Sequence, residues 1–201
     1  MIPRMTRKKP AVFLDRDGVV IEEANYLHTI DQVRLIPGTA ETIAALNRAD
    51  WLTVLVTNQS GVARGLYPIE CVATVHQHLL ELFQGYGARF DGVYFCPHHP
   101  GGDLAEYCRE CECRKPRPGM LLQAAADLEI DLARSWMIGD RLTDLEAGAA
   151  AGCRTALVRT GYGKLVNAAA LDREALHLEL IASDLPEAVA KLGLLSARAV
   201  A

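Results

Sequence analysis

Five short apolar runs punctuate the chain: residues 11–14 (AVFL), 51–56 (WLTVLV), 92–96 (GVYFC), 136–138 and 154–158 (RTALV). Each is nearly continuous rather than alternating, and partly β-branched or aromatic, which is the pattern of strands buried on both faces. Helical patterns separate them. Pro37-Gly38-Thr39 opens an Ala-rich helix to about Ala49, and Pro68 opens a longer one in which Val72, Val75, Leu79, Leu82 and Phe83 recur at helical spacing. A third helix is predicted from Pro118 to about Leu128, a fourth from Leu142 to Ala151 with Gly152 as its stop, and a last from Leu185 to about Leu192. Strands alternating with helices predict an α/β fold with a doubly wound, mostly parallel sheet. Segment 165–201 reads as a peripheral strand and helix without evident chemistry.

Sheets of this kind bind ligands beyond the carboxyl ends of their strands. Asp15, Thr57 and Asp140 each fall at or just past such an end. Asp15 and Asp17, spaced i, i+2, lie on one side of an extended backbone. Two carboxylates that close repel unless a proton or a cation sits between them, so the pair implies a raised pKa or a bound Mg2+. A surface turn accounts for the motif equally well in isolation. A calcium loop does not, because that pattern needs Gly at the sixth and Glu at the twelfth position. Counted from Asp15, Gly18 is fourth and Tyr26 twelfth.

Three further motifs carry chemistry. In Thr57-Asn58-Gln59-Ser60-Gly61 a hydroxyl and successive backbone N–H groups could hold phosphate oxygens, or simply cap a turn. Arg114 and Lys115 directly precede the helix begun near Pro118, and a cation there reinforces the anion preference of a helix N-terminus. Asp140 and Asp144 straddle a strand-to-helix turn; either can be a metal ligand, and Asp144 an N-cap.

The chain has 201 residues, enough for one full α/β domain spanning 1–201, and no apolar stretch nears the ~20 residues of a membrane helix. Its basic start, MIPRMTRKKP, leads into an apolar run too short for a signal peptide, so a cytoplasmic protein is expected. Net charge is −4, from 21 basic and 25 acidic residues, which leaves no general field for nucleic acid. Six cysteines without a secretion signal point to thiols or metal rather than disulfides. Cys96 and His98 flank a proline, and Cys111 and Cys113 follow after twelve residues, giving a Cys3His set suited to structural zinc, with Cys108 and His99 as rival ligands.

Taken together and in this order, DRDGVV, Thr57, Lys115 and GDRLTD resemble the four motifs of the haloacid dehalogenase-like (HAD) phosphohydrolases across roughly residues 11–160. The resemblance implies that Asp15 is a nucleophile forming an aspartyl phosphate and that Asp17 is the general acid and base. It also implies that Asp15, Asp140 and the backbone carbonyl of Asp17 hold Mg2+, while Thr57 and Lys115 stabilise the transferring phosphoryl group. Within that superfamily, FLDRDG, VTNQSG, CPHHP and CRKPRPGM look like the heptose bisphosphate phosphatases, whose zinc loop, here 96–113, replaces a large cap domain. That resemblance implies a small sugar bisphosphate substrate and substrate contacts from Glu23, Ala24, Asn25, Tyr26 and Arg114, beside which the 57–61 motif offers Asn58, Gln59 and Ser60; a monomer is expected. Arg141 joins them where the family often has Lys. The histidinol-phosphate phosphatases, with a shorter stretch between the zinc ligand pairs, are the neighbouring alternative, and a zinc-stabilised binding module with a vestigial site is a third.

Overall fold

A computed structural model describes residues 8–195. Most of the basic start and the last six residues lie outside that range. Six strands, β1 (Ala11–Leu14), β2 (Leu52–Asn58), β3 (Gly92–Cys96), β4 (Trp136–Gly139), β5 (Arg154–Val158) and β6 (Leu178–Ala182), form one sheet in the order β3-β2-β1-β4-β5-β6. Every neighbouring pair is parallel. Helices α1 (Thr39–Arg48), α2 (Ile69–Gly85), α3 (Gly119–Asp127) and α4 (Leu142–Ala150) connect the first five strands, and α5 (Leu185–Lys191) follows β6.

All four residues of β1 are buried, and they divide by parity between two cores. Val12 and Leu14 join Leu55, Trp136 and Ile138 against Ile43 and Leu46 of α1, Val75, Leu79 and Phe83 of α2, and Leu185 and Val189 of α5. Ala11 and Phe13 join Val54, Val56 and Met137 against Met120, Leu121 and Ala124 of α3 and Ala147 of α4. A strand covered on both faces has no polar side to show, which is why its sequence does not alternate. The elements follow the predicted series, and β6 and α5 fall in the peripheral C-terminal segment.

One boundary moves. The second strand begins at Leu52 and runs on to Asn58, because Thr57 and Asn58 pair in register with Phe95 and Cys96. Thr57 is thus held inside the sheet at its carboxyl edge, rather than in a loop beyond it. The order reverses between β1 and β4, the crevice where ligands of doubly wound sheets bind. Asp15 follows the last residue of β1, and Asp140 the last of β4.

Candidate active site

At this crevice a cleft of about 260 Å³ is lined by Asp15, Asp17, Thr57, Lys115 and Asp144 on its floor, with Arg114, Arg141, Glu23, Asn25 and Tyr26 further out. Asn58, Gln59 and Ser60 line it too. Ala24 alone of its predicted loop does not, and packs against the core beneath instead.

Lys115 is 2% exposed and its ammonium is fully engaged. It donates to Asp15 Oδ1 at 2.9 Å and to the Val56 carbonyl at 2.8 Å, and lies 2.7 Å from Asp144 Oδ1. Burial works against its charge, but the carboxylates of Asp144 and then Asp15 outweigh it and hold the ammonium above its ordinary value. The side chain therefore turns down into the sheet, away from the N-terminus of α3 where the sequence placed it. Asn58 sets that path: its amide donates to the Lys115 carbonyl at 3.0 Å and its Oδ1 accepts the Lys115 N–H at 3.1 Å. The Asn58 side chain is thus spent on the loop.

Asp144 is not an N-cap: Arg141 caps α4 and Asp144 is the third residue of the helix. Its Oδ2 accepts the Arg141 N–H at 2.9 Å, while Oδ1 faces Lys115. Burial raises its pKa and Lys115 opposes the rise.

Asp140 is fully buried, and burial followed by the charges of Asp15 and Asp144 pushes it up to about 8. Its Oδ2 accepts the Tyr162 N–H at 2.7 Å. Its Oδ1 has no hydrogen-bond partner among the described residues. A bare buried carboxylate oxygen is costly unless something binds it. Oxygens of Asp15, Asp140 and Asp144 lie within 4.8 Å of one another, and an all-oxygen donor set of this charge fits a hard divalent cation such as Mg2+. Gly18 and Gly161, at φ +80° and +50°, press on the other side: a Cβ on either would sit 2.2 Å from Asp140 Oδ2.

Beside the cleft, Cys96, His98, Cys111 and Cys113 converge. Their sulfurs stand 3.2 to 3.5 Å apart, and His98 Nδ1 lies 3.7 Å from Cys96 Sγ and 3.4 Å from Cys113 Sγ. A tetrahedron with metal–sulfur bonds of ~2.3 Å has edges of roughly 3.8 Å, so the cluster is close to zinc-binding size. The rivals stand elsewhere. Cys108 is exposed with its thiol at the Pro100 carbonyl, and His99 faces Gly101 and Arg64. The cluster is joined to the cleft by Arg114, whose guanidinium donates to the His98 carbonyl at 3.1 Å.

Several residues that shape the cleft carry no signal in the sequence. Tyr162 supplies the N–H for Asp140, lays its ring 3.7 Å beneath the Arg141 guanidinium, and donates its hydroxyl to Asn25. Thr160 ties that segment to the Gly18 carbonyl. Arg16, Tyr67 and His76 join the predicted Gln59 in a buried network around Asp17.

The family model described as HAD-hydrolase-like matches residues 112–188. A D-glycero-beta-D-manno-heptose-1,7-bisphosphate 7-phosphatase of Yersinia pestis is 47% identical over 158 residues, which are 78% of this chain and 84% of that protein. A D-glycero-D-manno-heptose-1,7-bisphosphate 7-phosphatase of Thermosynechococcus vestitus is 44% identical over 185 residues, covering 90% of this chain and 94% of that one. The crystal structure of a D,D-heptose 1,7-bisphosphate phosphatase from B. bronchiseptica, in complex with magnesium and phosphate, superposes with a TM-score of 0.80 at 36% identity, covering 91% of this chain and 97% of that one. Fold and site together define a hydrolase of the HAD-like class. Within that class, the chain belongs to the heptose 1,7-bisphosphate 7-phosphatase family.

Proposed function

We propose that the protein removes the 7-phosphate of D-glycero-D-manno-heptose 1,7-bisphosphate through an aspartyl phosphate on Asp15. The observation that carries this reading is the meeting of Asp15, Thr57 and Lys115 in one cleft whose outer part holds Arg114 and Arg141, with the buried Asp140 within 4.8 Å of Asp15. Asp15 attacks phosphorus, the bond from phosphorus to the C7 oxygen breaks, and Asp17 gives that oxygen a proton. Asp17 then takes a proton from the water that attacks the phosphoryl group, and Asp15 is restored. Thr57 accepts from Gln59 Nε2 at 2.9 Å, which leaves its own O–H to donate to a phosphoryl oxygen. Lys115, already 2.9 Å from the nucleophile, offsets charge on the same group. Asp15, Asp140 and the Asp17 carbonyl would hold Mg2+, which when bound neutralises phosphoryl charge. Cys96, His98, Cys111 and Cys113 would hold a structural Zn2+.

No helix among the described residues is long and apolar enough to cross a membrane, and six cysteines free of disulfides fit the reducing cytoplasm. The direct test is Mg2+-dependent phosphate release from the bisphosphate, with the heptose 1-phosphate as product. Asp15→Asn should abolish turnover and any phosphoenzyme. If that variant kept more than about a hundredth of the wild-type rate, loss of a general acid or base (~10²–10⁴-fold) would describe Asp15 better than loss of the nucleophile.

A further inference from the structure

Arg16 lies between the two catalytic carboxylates in sequence, yet it is 1% exposed where it reaches the wall of the cleft. Its guanidinium grips the carboxylate of the next residue. Nη2 stands 3.0 and 2.9 Å from Asp17 Oδ1 and Oδ2, and Nε stands 3.2 and 3.1 Å from the same two atoms. The remaining donors are held from both sides. Nη2 also donates to Gln59 Oε1 at 3.1 Å, and Nη1 meets His76 Nε2 at 3.3 Å. Because a guanidinium only donates, His76 Nε2 accepts there. Burial, then the Arg16 charge, pushes His76 down to about 3, which keeps the ring neutral and able to accept.

Gln59 completes the cradle. Its Nε2 donates to Asp17 Oδ2 at 3.1 Å and to Thr57 Oγ1 at 2.9 Å, and its Oε1 accepts from Tyr67 as well as from Arg16. Asp17 is therefore oriented by a planar fork along one side and an amide on the other, and the same amide orients the Thr57 hydroxyl. We infer that Arg16 is a positioning residue for the reaction, which with Gln59 aims the Asp17 carboxyl at the leaving oxygen. This rests on the phosphomonoesterase reading and gives Arg16 a role exerted through Asp17.

Orientation of an acid matters only when the leaving group needs its proton. In the first half-reaction the Asp15 oxygen bonds to phosphorus, the electron pair of the breaking bond goes to the leaving oxygen, and the Asp17 proton follows it. An alkoxide leaves poorly without that proton, whereas p-nitrophenolate leaves well without it. Arg16→Lys keeps the charge but loses the fork, so it isolates geometry.

The test is first-turnover kinetics with enzyme in excess, using glycerol 3-phosphate and p-nitrophenyl phosphate as probes. Arg16→Lys should slow the alkyl phosphate by ~10²-fold and the aryl phosphate by less than about 3-fold, with little change in half-saturation. On an Asp17→Asn background it should add nothing, since the group it aims has lost its function. Arg16→Gln, which keeps an amide donor toward Asp17 without the fork, should give the same pattern, and it decides the matter if circular dichroism shows Arg16→Lys to be unfolded. Equal losses on both probes, or losses that add to Asp17→Asn, would overturn the role of Arg16. Wild-type turnover of both probes without turnover of the heptose bisphosphate would instead sink the substrate assignment alone.

Discussion

Asp140 shows how much a single residue's surroundings decide. Its folded pKa of about 8 stands far above the ~3.9 of an unfolded Asp, so between those values the native state holds more protons than the unfolded chain. The stability of protein kept free of Mg2+ should accordingly fall as pH rises from about 4 through about 8, and added Mg2+ should remove most of the fall. Urea midpoints across that range would check it, with Asp140→Asn as the control in which this contribution to the slope is gone. A wild-type slope that matches Asp140→Asn would show that the carboxyl is not buried uncharged. At this scale Asp15, Asp17, Thr57, Lys115 and Asp140 were legible because each ends a strand or opens a helix in a recognisable order. Arg16, His76 and Tyr162 were not, since an Arg inside a motif, a His in an amphipathic helix and a Tyr after Gly have no meaning until contacts 60 or 137 residues apart are made.

At the scale of elements, apolar runs placed the strands to within a residue or two because burial on both faces leaves a continuous signal. The exception, the extension of β2 to Asn58, depends on pairing with β3 and is invisible locally. The Cys3His set was legible as a group of ligand-type residues, while the choice among Cys108, His99 and the four that converge needed the fold of the loop between them. A Cys3His site binds its metal far more firmly than a carboxylate site binds Mg2+. Purified protein should therefore contain about one Zn2+ per chain after exchange into Mg2+-free buffer, by elemental analysis. Cys113→Ser should lose both zinc and thermal stability, and Cys108→Ser neither. Because Arg114 rests on the His98 carbonyl, loss of zinc should also weaken whatever Arg114 binds. Full zinc occupancy in Cys113→Ser would remove this cysteine from the ligand set.

At the scale of the whole molecule, the reversal of strand order opens the crevice between β1 and β4, and loops from separate parts of the chain carry its outer wall. The segment that follows Cys113 brings Arg114, the turn into α4 brings Arg141, and the loop after β1 brings Glu23, Asn25 and Tyr26. Lys115 is committed to Asp15 and Asp144 on the floor, so the outer cations remain for a second anion. Arg141 is partly held there already, stacked on Tyr162 and 3.5 Å from Glu23, whereas among the described residues the Arg114 guanidinium is anchored to a carbonyl and to no carboxylate. A half-buried guanidinium left without an anion is a loss that a second phosphate would recover, and binding energy at that remote group can align the reacting one. The heptose 1,7-bisphosphate should therefore exceed both the 7-monophosphate and histidinol phosphate in kcat/KM by on the order of 10². Arg114→Ala should narrow the gap by hurting the bisphosphate while sparing the monophosphates, because only the former reaches across the cleft. Equal kcat/KM for histidinol phosphate and the bisphosphate in the wild type would mean that the outer cations do not read a second phosphate.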